Sequence, residues 1–159
     1  MNQKIMALFL LILFIAPTLT FAHCEIPCGI YGDKMRIDML KEHVTTIEKS
    51  MNQIMELEKA EMINYNQLVR WINNKEDHAN QFQHIVTQYF MTQRIKPVDG
   101  SDKAALEKYQ KELSLLHEML VYAMKAKQTT DVQNCTKLNE LIDSFYNSYF
   151  TEEQKKHTH

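Results

Sequence analysis

The sequence predicts an all-α fold, an antiparallel up-down four-helix bundle preceded by an irregular amino-terminal metal hook. Three observations predict it. Residues that punctuate a chain are scarce: beyond residue 22 the glycines are Gly29, Gly32 and Gly100 and the prolines are Pro27 and Pro97, in only two places. Elsewhere, apolar residues recur every three or four positions, the period of a half-buried helix. The gaps between these stripes are short, which makes consecutive helices antiparallel neighbours.

Residues 1–22 come first and differ in kind. Lys4 supplies a short positive start, Ile5 to Ala16 is an almost unbroken apolar run, and Pro17 interrupts it. Thr20-Phe21-Ala22 then places small residues where a signal peptidase reads them. A membrane anchor is the alternative, but the run is short against the roughly 20 residues a span needs. The reading is a secretory leader removed after Ala22, an exported product (periplasmic or extracellular), and a mature chain that starts at His23 with no membrane segment.

Residues 23–32 form the hook, 33–150 the bundle and 151–159 a polar tail that is expected to fray. Ile37, Leu40, Val44, Ile47, Met51 and Ile54 mark the first helix. Leu68, Ile72, Ala79, Phe82, Val86 and Tyr89 mark the second, with Lys75 interrupting the pattern. Lys59 to Asn66 contains no glycine or proline, so the boundary between these two helices is poorly marked. Leu106, Tyr109, Leu113, Leu116, Leu120 and Ala123 mark the third, with Asp102 as N-cap. Val132, Cys135, Leu138, Ile142, Phe145 and Tyr149 mark the fourth, for which Thr130-x-x-Gln133 reads as a capping box.

Composition excludes several classes. Eighteen Lys+Arg against 20 Asp+Glu leave no charge excess that would recruit nucleic acid. No His-Glu-x-x-His, nucleophile elbow, phosphate-binding glycine loop or paired-carboxylate signature is present. The ten methionines read as helix-stripe or leader residues without a Met-x-Met cluster, and Cys135 as a buried small apolar residue. His43, His78, His84 and His117 read mostly as surface or cap residues, while His157 and His159 in the tail have no fixed geometry.

The chemistry concentrates in His23-Cys24-Glu25-Ile26-Pro27-Cys28-Gly29-Ile30-Tyr31. Cleavage frees the His23 α-amine. That amine and the Cys24 amide nitrogen close one five-membered chelate ring, and the amide nitrogen and the Cys24 thiolate close another. Cys28 supplies the fourth corner of the square, Pro27 restricts the intervening loop, and Gly29 permits close approach on exit. The His23 imidazole is left to bind axially. Two thiolates, an amine and an amidate in a plane suit Ni(II) or Cu(II) rather than tetrahedral zinc. Divalent copper oxidises thiolates, so nickel fits better. The anionic donors bring the trivalent state within reach, so such a centre can oxidise one superoxide and reduce the next.

His-Cys-x-x-Pro-Cys-Gly-x-Tyr at a processed terminus resembles the hook of the nickel superoxide dismutase family. The resemblance implies a four-helix bundle assembled as a homohexamer, superoxide as substrate and nickel as cofactor. It implies that His23, Cys24 and Cys28 hold the metal and that Tyr31 stands at the mouth of the site. The family supports the axial imidazole with an acidic residue in helix one, usually Glu, and a basic one in helix two, usually Arg. Asp38 matches the first with a one-residue gap, and His78 stands at the second. Two other readings of the same residues are an exported nickel or copper carrier or sensor without catalysis, and a structural bundle closed by a Cys24–Cys28 disulfide.

Overall fold

The computed structural model describes residues 32–156, so the leader and His23 to Tyr31 lie outside the described residues. Four long helices dominate: α1 (Asp33–Glu58), α2 (Tyr65–His84), α3 (Lys103–Gln128) and α4 (Gln133–Tyr149). α2 runs on without a break into a π-helical segment, Ile85–Arg94, and a short α5 (Glu152–Lys156) follows α4. No strand occurs among the described residues, and no helix there is long and apolar enough to cross a membrane.

Side-chain pairs fix the topology. Ser50 meets Asn74 while His43 meets His78, so α1 and α2 run in opposite directions. Lys127 meets Asn80 while the Leu120 carbonyl meets Gln83, so α2 and α3 are also antiparallel. Asp33 meets Tyr149, Lys41 meets Asp143 and Met51 meets Cys135, which closes α1 against α4. The result is the up-down bundle expected from the short connections.

The core follows most of the apolar pattern. All six α1 stripe residues are buried, as are Cys135, Leu138, Ile142 and Phe145 of α4. Cys135 is fully buried with Sγ 3.8 Å from Met51 Sδ, and burial pushes its thiol up to about 12, which removes it as a thiolate. In α3 the buried face is Glu112, Leu116, Met119, Ala123 and Ala126. Leu106, Tyr109, Leu113 and Leu120 lie half-buried along its margin. Apolar residues on this helix cover more than a single seam, so spacing alone placed the centre of the stripe too far to one side.

Two departures from the expected pattern have one cause. The Lys75 ammonium is buried and donates to the Ala126 and Lys127 carbonyls, in the last turn of α3. A helix leaves its final carbonyls unpaired and negative, and a cation there satisfies both needs. Lys75 therefore interrupts the apolar stripe because α3 ends beside it. Residues of α2 that precede it extend past that end, so Ile72 is exposed rather than core and Leu68 is only half-buried.

The helix ends also refine the sequence reading. Asn64 caps α2 by accepting from the Gln67 amide at 3.2 Å, which sets the break that no glycine or proline marked. Asp102 caps α3 as expected, accepting from the Ala105 amide at 3.0 Å. Thr130 does not cap α4. Asp131 accepts from the Gln133 amide instead, and Thr129 Oγ1 accepts from the Asp131 amide and the Asn134 side chain. A reciprocal capping box does form at Thr151 and Gln154, where it starts α5 in a tail expected to fray.

Candidate metal centre and its supports

Of the residues singled out by sequence, His23, Cys24, Cys28 and Tyr31 lie outside the described residues. The described bundle shows what the hook is attached to. Gly32 precedes α1 with φ +28° and ψ 144°, a backbone that side chains other than glycine's rarely allow. It offers no side-chain cap, so the first turn of α1 is secured elsewhere.

It is secured through Asp33. Tyr89 donates to Asp33 Oδ1 at 2.5 Å and Tyr149 donates to Oδ2 at 2.7 Å. Arg94 forms an ion pair with Oδ1, its Nε at 2.8 Å, and its Nη2 donates to the Tyr89 hydroxyl at 2.9 Å. Arg36 stacks its guanidinium over the Tyr89 ring, 5.0 Å from the centroid. Burial, and then the bond to the Asp33 carboxylate, raises the pKa of both phenols. They are therefore protonated donors at neutral pH. The bond to Tyr89 raises the Arg94 pKa above its already high ordinary value, so its charge is permanent.

The π segment makes this cluster possible. A π turn brings residues five apart into register. Ile95 N donates to the Phe90 carbonyl and Thr92 Oγ1 to the Thr87 carbonyl, both across five residues. The same step sets Arg94 against Tyr89. Beneath lies an aromatic floor. Phe90 meets Phe145 edge-on at 5.0 Å, and Phe145 stacks on Tyr149 at 5.3 Å.

The expected supports of the axial imidazole are not brought together. Asp38 is exposed, and its carboxylate is taken by Lys34 one turn earlier at 2.6 Å. His78 pairs with His43, Nδ1 to Nδ1 at 2.9 Å, with the two rings edge to face. His43 is thus a buried partner rather than a surface residue. Its Nε2 is buried with no hydrogen-bond partner, beside a groove of about 400 Å³ lined by Arg36, Met39, Asn80, Gln81 and His84. Burial, and then the neighbouring His78, lowers the His43 pKa, with Glu42 opposing weakly. Sequence reasoning missed Asp33 and His43. Asp33 carried a signal in its position at the start of the first helix, and His43 in its three-residue offset from Leu40 on the buried face.

The bundle can be tested as a rival home for a metal. Among the described residues no three histidine, cysteine or carboxylate side chains gather as a ligand set. Cys135 is a protonated, buried thiol. The class these features define is an all-α protein built as an up-down helical bundle.

Residues 18–154 match the family model of nickel-containing superoxide dismutase. The chain belongs to that family and is a nickel-dependent oxidoreductase that converts superoxide to oxygen and hydrogen peroxide. Searches of curated proteins and of solved structures returned no match.

Proposed function

We propose that the dismutation is carried by the peptide His23 to Tyr31, freed at its amino end when the leader is removed after Ala22. The observation that carries this reading is the family match, whose span of residues 18–154 includes His-Cys-x-x-Pro-Cys-Gly-x-Tyr as well as the bundle. Nickel, when bound, supplies the one-electron couple between its divalent and trivalent states. The chain supplies the rest. His23 would give its α-amine and imidazole, Cys24 its amide nitrogen and thiolate, and Cys28 a second thiolate. Tyr31 stands at the mouth and orders water or substrate there.

His78 is the support proposed for the axial imidazole, steadied through its bond to His43. Asp38 is proposed as the acidic member, a role that requires its carboxylate to leave Lys34. Such outer contacts matter because they fix how an imidazole ligand is turned. The product is exported, and it assembles as a homohexamer in which neighbouring subunits bury and order the hook. The family relationship supports the assembly, and the leader pattern of residues 1–22 supports the export.

The test is superoxide consumption per bound nickel, together with the resonance of trivalent nickel. The parent protein is expected to show both. Cys24→Ser and Cys28→Ser are each expected to lose nickel and activity while the helical content stays unchanged. Undiminished dismutation in either variant contradicts the assignment of the thiolates.

A further inference from the structure

We infer that Gly32 and the Asp33–Tyr89–Tyr149–Arg94 cluster form a clamp that positions the hook, by fixing the direction in which residues 23–31 leave the bundle. The inference rests on the reading of the hook given above and adds the residues that hold it. A single residue, Gly32, separates Tyr31 from Asp33. Whatever fixes Asp33 and the Gly32 backbone therefore fixes the start of the hook.

The cluster is built for this. Its members come from three separate elements that meet at one end of the bundle: the first residue of α1, the π segment and the last residue of α4. Both Asp33 oxygens and both tyrosine hydroxyls have partners. The bonds to the carboxylate are charge-assisted, the stronger kind. A first helical turn with no task beyond starting a helix usually frays or carries one capping side chain. Here the cap is absent and the carboxylate is locked instead to residues 56 and 116 positions away in sequence. Just before this anchor the backbone passes through the positive φ of Gly32, a conformation that residues with a side chain rarely adopt. A Cβ added at Gly32 would meet no atom within 4 Å, so only the backbone conformation demands glycine there.

These are positioning residues: none is assigned contact with metal or substrate. Their test uses the nickel-loaded mature protein and the variants Asp33→Asn, Tyr149→Phe and Gly32→Ala. Nickel content and KM are expected to hold in all three. In Asp33→Asn, kcat is expected to fall about tenfold, the scale of a small misplacement of reacting groups. The trivalent-nickel resonance is expected to become heterogeneous and amide exchange at residues 29–34 to quicken. Tyr149→Phe and Gly32→Ala are expected to show the same changes more weakly, which keeps the test usable if Asp33→Asn fails to fold. A lowered melting temperature with parent-like kcat, resonance and exchange overturns the inference, because the cluster is then only structural. A parent protein that binds nickel without consuming superoxide overturns the hook reading instead. The clamp is then judged on exchange and resonance alone, and unchanged values in Asp33→Asn overturn it.

Discussion

Two of the polar clusters in the bundle are built in opposite ways. At the Asp33 end every oxygen has a partner, and two protonated phenols and a permanent cation converge on one carboxylate. At the His43–His78 level, two rings share a single Nδ1–Nδ1 contact, and the His43 Nε2 is buried with nothing to bond. One of the two Nδ1 atoms must carry the proton and the other must accept it. Whichever tautomer is chosen, His43 Nε2 is left without a partner. Arg94 Nε makes an ion pair with Asp33 but no well-aligned hydrogen bond, so the first network is held by its matched charges and paired oxygens, whereas the second has neither and is a weak point that answers to pH. The first holds the root of the hook, and the second lies beside the helix position from which the axial imidazole is to be supported.

The largest effect is expected from removing the centre of the paired cluster. Asp33→Ala strands the Tyr149 hydroxyl and unpairs the Arg94 charge, leaving Tyr89 only its bond from Arg94, and it should cost about 2–3 kcal/mol in urea unfolding, below the full value for a deeply buried pair because Arg94 reaches water. A cost near zero would show that the cluster is solvated and would erase the contrast between the two clusters.

The histidine pair should respond to pH instead. Its sign follows from the lowered His43 pKa. Below the ordinary value of 6.5 the unfolded chain takes up a proton that the folded chain resists, so the unfolded state binds more protons and stability falls as pH falls. Unfolding at about pH 7.5 and at about pH 5.5 should show this loss. His43→Leu should flatten that part of the profile. The smallest effect is expected from the same variant at about pH 7.5. Removing the buried unpaired Nε2 offsets the loss of the single Nδ1 bond to His78, and stability should stay within about 1 kcal/mol of the parent. A loss much larger than this would mean that Nε2 has a partner in solution, and the second cluster would then resemble the first.

Most of the bundle was legible because helical periodicity and scarce breakers act locally. The α1 and α4 stripes needed only the 3.6-residue repeat. What escaped depends on neighbours distant in sequence. Lys75 breaks the α2 pattern because α3 ends beside it, and no reading of α2 alone contains that fact. The π segment carries no glycine or proline to announce it, so the pairing of Tyr89 with Arg94 was hidden. Asp33 looked like an ordinary first-turn acid until Tyr149 was brought to it from the far end of the chain. Asp38 illustrates the reverse case: its charge and offset are legible in the sequence, but its pairing with Lys34 one turn earlier is not what the expected role requires. The hook motif can be proposed from sequence because His23 and Cys24 are adjacent and Cys28 follows closely, and chelation by neighbouring groups needs no tertiary structure to be recognised.

The claim on which the mechanism depends is that the His23 nitrogen must be a free amine. The direct measurement compares the protein that begins at His23 with one carrying a single additional glycine before it, reading nickel content and superoxide consumption in each. The first should hold nickel stoichiometrically and dismute superoxide, and the second should do neither while keeping the same helical fold. Full activity in the extended protein would contradict the account.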